Sequence, residues 1–241
     1  MLQRIPILAF LLVSCLSFGQ ARDDYDAYMQ AAGDATLLFR GRSALPYNFP
    51  HNGTYYWYTP EFIEGTVRFN GKEYHGIELN IDAARQTLIC GISGSIKRSE
   101  LERAQVECFT IGDRHFVNAD GRWTGDAPEG YLEVLLDGPN AFLKQRVKTL
   151  VEDKEGTRSQ DTDYSGVFKS SVWRVFVCQT DYYIKDAQGA LHKVKKRKDV
   201  YRLFKDHRKQ LRKYVSSFEK DNIIPFEQFG LIVLGRMNEQ Q

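Results

Sequence analysis

Residues 54–90 read TYYWYTPEFIEGTVRFNGKEYHGIELNIDAARQTLIC, and the rest of the chain is organised around them. Residues 65–69 form a strand, Asn70-Gly71 a two-residue turn, and residues 72–82 the returning strand. Asn-Gly accepts the positive φ angles of a type I′ turn, whose twist matches the strands it joins. Such a loop pairs Phe69 with Lys72 and Val67 with Tyr74, so Val67 and Tyr74 share a face. Ile77, Leu79 and Ile81 have the opposite parity to Tyr74. One extra residue near His75-Gly76 brings both sets to one side, and glycine is the usual residue at such a bulge. The alternative is a strand whose two faces are both partly covered.

Upstream, residues 1–20 (MLQRIPILAFLLVSCLSFGQ) read as an export signal, with Arg4 as the positive start and a short apolar core behind it. The run is too short for a bilayer span, which needs about 20 apolar residues. Two processing routes compete. Leu12-Val13-Ser14-Cys15 fits a lipobox, with Cys15 acylated; Ser17 to Gln20 before Ala21 fits an ordinary signal-peptidase site. Residues 21–241 are long enough for one β-rich domain, and no second stretch is long and apolar enough to span a membrane. Asp23, Asp24 and Asp26 open it, a short helix fits residues 28–35, and residues 36–39 read as extended. No internal repeat is visible.

Lys and Arg total 33 against 31 Asp and Glu, so net charge names no partner. Three cysteines follow the signal. Cys90 and Cys108 fall on strands that could be neighbours, which would permit a disulfide in an exported protein. Cys178 reads as a small core residue.

Further strands are expected at residues 105–111, 114–118, 131–136, 142–151, 171–185 and 190–194, separated by Gly, Asp and Asn turns. Residues 152–166 are polar and read as a loop or linker. From Lys198 the apolar period lengthens: Val200, Leu203, Phe204, Leu211, Tyr214, Val215 and Phe218 recur at three and four residues, with a break near Asp206. Pro225 is placed to open a last helix. The expectation is an α+β fold: a largely antiparallel meander, flat or curved, followed by two or three helices within residues 198–238.

Leu45-Pro-Tyr-Asn48, Asn52-Gly-Thr-Tyr-Tyr-Trp57, Gly65-Thr-Val-Arg-Phe-Asn-Gly71 and Glu78-Leu-Asn-Ile-Asp82 resemble an uncharacterised family of exported Gram-negative envelope proteins. The likeness lies in turn and strand signals, with a basic helical C-terminus behind them. It implies export and names no activity; similar proteins are suspected to accompany outer-membrane nutrient uptake.

No catalytic set presents itself. Gly91-Ile-Ser93-Gly-Ser95 departs from the nucleophile-elbow pattern, no two histidines have metal-ligand spacing, and no cofactor motif is present. Glu78, Asn80 and Asp82 alternate onto one face, which a solvated sheet explains. Asp161-Thr-Asp163 lacks the glycine and glutamate of a calcium loop. Two binding readings remain. Tyr55, Trp57, Tyr74 and Trp173 are candidate walls of an aromatic ligand pocket. Lys195, Lys196, Arg197 and Lys198 lead a run over residues 185–213 in which twelve cations face three acids, suited to an anionic envelope surface or an acidic envelope partner. Export argues against nucleic acid. The expected role is that of a non-enzymatic exported binding or accessory protein; a small-ligand carrier and an unrecognised hydrolase are the alternatives.

Overall fold

The computed structural model describes residue 27 and residues 36–92, 94–152, 174–219 and 223–240. The signal stretch with Cys15, the short helix expected at residues 28–35, Ser93, the polar segment with Asp161 and Asp163, and Trp173 all lie outside the described residues. The chain divides into two compact units, Met1–Gly41 and Arg42–Gln241. In the first, Leu37–Arg40 make one 3-10 turn, with the Phe39 amide donating to the Thr36 carbonyl at 3.1 Å. This corrects the extended reading of residues 36–39: Leu37, Leu38 and Phe39 carry no period-two alternation, and leucine is at home in a helical turn.

The second unit contains, among the described residues, one sheet of eleven strands and three α-helices after it. Four strands form the first meander: β1 (Ile63–Phe69), β2 (Lys72–Asp82), β3 (Thr87–Gly91) and β4 (Arg98–Glu100). The second comprises β5 (Val106–Ile111), β6 (Arg114–Asn118), β7 (Thr124–Gly125), β8 (Tyr131–Leu136), β9 (Ala141–Glu152), β10 (Arg174–Lys185) and β11 (Ala190–Val194). The order across the sheet is β4-β3-β2-β1-β5-β6-β8-β9-β10-β11-β7. Pairing of β1 with β5 joins the two meanders. Every pairing is antiparallel except the two-residue parallel contact of β11 with β7.

The founding hairpin is as its sequence requires. Asn70 and Gly71 both take positive φ, 51° and 73°. Phe69 pairs with Lys72 and Val67 with Tyr74, while Gly65 pairs with Ile77, so β2 carries an extra residue at His75-Gly76. Gly76 sits at φ 64°. The bulge brings Tyr74, Ile77, Leu79 and Ile81 to one buried face.

Register then carries that face across the molecule. Tyr74, Val67, Phe109, Phe116, Glu133, Lys144, Tyr182 and Val194 are successive cross-strand partners. The row is aromatic or aliphatic at both ends and charged only at Glu133 and Lys144. The sheet curls along this row. The Lys148 amide donates to the Ala83 carbonyl at 3.1 Å, and Gln86 Nε2 to the Arg146 carbonyl at 2.9 Å, so the β2–β3 turn reaches β9.

The aromatic loop before β1 ties these ends together. Asn52 exchanges backbone hydrogen bonds with Arg174 and Phe176 of β10, while Tyr55 and Trp57 bond Ala83 and Ile81 at the end of β2. Helix α1 (Arg197–Leu203), α2 (Arg208–Phe218) and α3 (Phe226–Asn238) cover the other part of the same face. Their Val200, Leu211, Val215, Phe229, Val233 and Leu234 pack on Phe142, Ile184 and Val194. Gly230 permits the close approach of α3: a Cβ there would lie 2.5 Å from the Phe142 ring. Asn238 locks the far end, its Oδ1 accepting from the Asn140 amide at 3.0 Å. A smaller core of Leu132, Leu143, Tyr183 and Leu191 lies on the opposite face, with Trp123 against it.

Cys90, Cys108 and Cys178 form no disulfide among the described residues. The suggested neighbourhood of Cys90 and Cys108 is corrected: β2 and β1 lie between β3 and β5. Strand parity says nothing of which hairpins become neighbours. Cys178 is half-buried, whereas Cys90 is the fully buried cysteine, its thiol pushed up to about 12 by burial.

Candidate functional site

Two groups of charges stand out, and they are built differently. The first is the break in the apolar row. Lys144 and Glu133 are partners across β8 and β9, and a lysine and a glutamate so placed are complementary. Lys144 Nζ lies 3.1 Å from Glu133 Oε2 and 3.3 Å from Glu227 Oε2. Tyr58 of the aromatic loop donates to Glu133 Oε2 at 2.6 Å, and Tyr182 of β10 donates to Glu227 Oε2 at 2.9 Å. The Arg114 and Arg146 guanidiniums lie 4.0 and 4.7 Å from the centre of the Tyr58 ring. Glu227 is in the first turn of α3, where the helix dipole favours an acid.

The members therefore come from separate elements: loop, two central strands, β10 and the last helix. Side chains of Lys144 and Glu133 are only 8% and 6% exposed, so each needs its partner. Burial disfavours the Lys144 ammonium, but hydrogen bonding to Tyr58 and the Glu133 charge outweigh it and hold its pKa above the ordinary value. Burial, then the bond to Glu133, raises the Tyr58 pKa; burial and Glu227 push Tyr182 up to about 12. Lysine and both tyrosines move away from neutrality, the opposite of what proton transfer near pH 7 asks. The cluster fastens loop, sheet and helix together.

The second group is the basic C-terminal segment. Asp199 organises its start, its Oδ2 accepting from the amides of Lys195 and Lys196 at 3.1 Å each, which holds its carboxyl below the usual range. Lys195, Lys196 and Lys198 are exposed and form no ion pair among the described residues; the same holds for Lys205, Arg208, Lys209 and Lys213. Arg197 differs. Its guanidinium pairs with Glu219, donates to the Ile224 carbonyl at 2.7 Å and lies over the Phe229 ring at 4.9 Å. It clamps α1 to the start of α3.

The aromatic candidates separate too. Trp57 and Tyr74 are 2% and 3% exposed, packed in the core, with Trp57 edge-on to Phe116 at 5.6 Å. Tyr55 is half-buried in a ring cluster with Tyr47, His51 and Phe176. The structure thus brings none of these three into a common opening. The face of Glu78, Asn80 and Asp82 alternates as its sequence implies but is not an open solvated one: Glu78 is half-buried against Arg98, and Asn80 and Asp82 are buried. Asn80 bonds the Thr59 and Glu61 carbonyls, and Asp82 is 1% exposed, capping the β2–β3 turn through the Ala84 and Arg85 amides. Burial raises the Asp82 pKa. Sequence reading missed the Glu133–Lys144 pair, although Glu133, the one charge inside the apolar strand Tyr131–Leu136, was an available signal; Lys144 is one of several polar residues in its strand.

Among the described residues no cluster of His, Cys, Asp or Glu is placed to hold a metal ion, and no helix is long and apolar enough to cross a membrane. Comparison of the chain with protein-family models, with curated proteins and with solved structures finds no match.

Proposed function

We propose that this is a non-enzymatic, exported binding or accessory protein of the cell envelope, docking on an anionic envelope surface through residues 195–209. One observation carries the reading: the buried Lys144 and Glu133 are paired, while Lys195, Lys196, Lys198, Lys205, Arg208 and Lys209 stand in solvent and form no ion pair among the described residues. Cations left unpaired on a rigid base are available to headgroup phosphates or acidic glycans, at about 1 kcal/mol per residue near an anionic membrane. The apolar leader behind Arg4 supports delivery to the envelope, by either processing route, and the resemblance of the first hairpin fits an accessory role in outer-membrane uptake.

The test is co-sedimentation with phosphatidylglycerol vesicles and with phosphatidylcholine vesicles. Binding to the first only, weakened by changing Lys195, Lys196 and Lys198 together to Gln, is the expected result. Equal binding to both vesicle types, or none, would refute the reading. Arg197 is left intact because its loss would loosen the helices.

A further inference from the structure

We infer that the groove between α2 and α3 is a discrete site for an anionic sugar. The inference rests on the anion-facing reading of the basic segment and gives it one small-molecule ligand. The groove has a volume of about 410 Å³ and is lined by Gln210, Lys213, Tyr214, Ser217, Arg236 and Gln240, with Leu211 at its floor. That volume falls in the range of small-molecule clefts, about 300–1,000 Å³.

Its walls combine two chemistries. Lys213 forms no ion pair among the described residues. Arg236 uses Nη1 on Glu239 at 2.9 Å, which leaves Nε and Nη2 as donors, and its guanidinium is braced 5.3 Å from the Tyr214 ring. Two cations against one acid leave a positive site for one carboxylate or phosphate. Around it, the side-chain amides of Gln210 and Gln240 and the Tyr214 hydroxyl make no hydrogen bond among the described residues. Ser217 Oγ donates to the Tyr214 carbonyl at 2.6 Å, so its lone pairs remain acceptors. Side-chain amides and hydroxyls that both donate and accept suit sugar hydroxyls; a fatty chain would leave them unpaired. Leu211 and Val215 hold α2 in the core and Phe229 and Val233 hold α3, so the two helices that carry the walls are in place before a ligand arrives.

Calorimetric titration of the full chain with glucuronate, glucose 6-phosphate, glucose and inorganic phosphate tests the site. Saturable binding of glucuronate or glucose 6-phosphate, with glucose and inorganic phosphate each at least tenfold weaker, is expected, and which anionic sugar binds more tightly identifies the acid group. Lys213→Gln should weaken it about tenfold, and Lys213→Arg should restore most of it. Thermal melts of both variants matching the parent separate lost binding from lost folding. No saturable binding, equal binding of glucose or of inorganic phosphate, or an unaffected Lys213→Gln variant would overturn the assignment. Vesicle binding that persists without sugar binding removes the groove alone; sugar binding without vesicle binding removes the docking surface and leaves the groove.

Discussion

Lys144 and Lys198 are the same residue in opposite circumstances. Lys144 lies in the row where sheet, loop and helix meet and touches two carboxylates. Lys198 stands in the first turn of α1, exposed and in no ion pair among the described residues. The difference teaches which charges build the protein and which remain to meet something else. A buried charge left unpaired costs several kcal/mol, so burial enforces pairing. An exposed charge costs almost nothing whichever way it points, so clustering of like charge there reflects use or solubility and not folding.

Removing one partner of the buried pair should have the largest effect. Glu133→Ala leaves the Lys144 ammonium with only the more exposed Glu227, and urea unfolding should show a loss of about 3–5 kcal/mol. Glu133→Leu with Lys144→Met should recover most of that. A single variant as stable as the parent would break the contrast.

Alkali should reveal the same cluster. The folded pKa values of Lys144 and Tyr58 are raised, so their contribution is complete below the unfolded values, about 10, and fades as pH rises through the folded ones. Thermal midpoints should fall above about pH 10, and less steeply in the chain carrying both Glu133→Leu and Lys144→Met.

Asp199 sits between the two regimes, since it orders the basic segment without being deeply buried. Asp199→Asn should cost about 1 kcal/mol or less. Its carboxyl pKa is depressed, so the contribution exists above the unfolded value of about 4 and disappears as pH falls through the folded one. The two proteins should therefore converge in stability at strongly acid pH, read by urea titration. The smallest effect belongs to Lys198→Gln, Lys205→Gln and Lys209→Gln, each within about 0.5 kcal/mol of the parent.

The hairpin was legible because its signals are local. Asn70-Gly71 fixes the turn, and the parity clash between Tyr74 and Ile77 locates the bulge at Gly76. The helices were legible through the three- and four-residue period that places Leu211 and Val215 inward, with the break at residues 204–207. What was hidden depends on which distant strands become neighbours. Cys90 and Cys108 look adjacent in a simple meander, but β5 returns past β3 and β2 to pair with β1. Glu133, Lys144 and Glu227 converge only after the sheet curls and α3 docks, and Glu227 is 83 residues from Lys144. Trp57 looked like a pocket wall because an aromatic ring's sequence neighbours do not say whether its far side is covered; Phe116 covers it.

The central claim, that the unpaired cations of residues 195–209 form a docking face, is tested most directly by vesicle co-sedimentation across a salt series. The chain with Lys195, Lys196, Lys198, Lys205 and Lys209 changed to Gln is compared with the parent. The parent should leave phosphatidylglycerol vesicles as salt rises, and the substituted chain should fail to bind at low salt while unfolding at the same urea concentration. Undiminished binding by the substituted chain, or parent binding indifferent to salt, would contradict it.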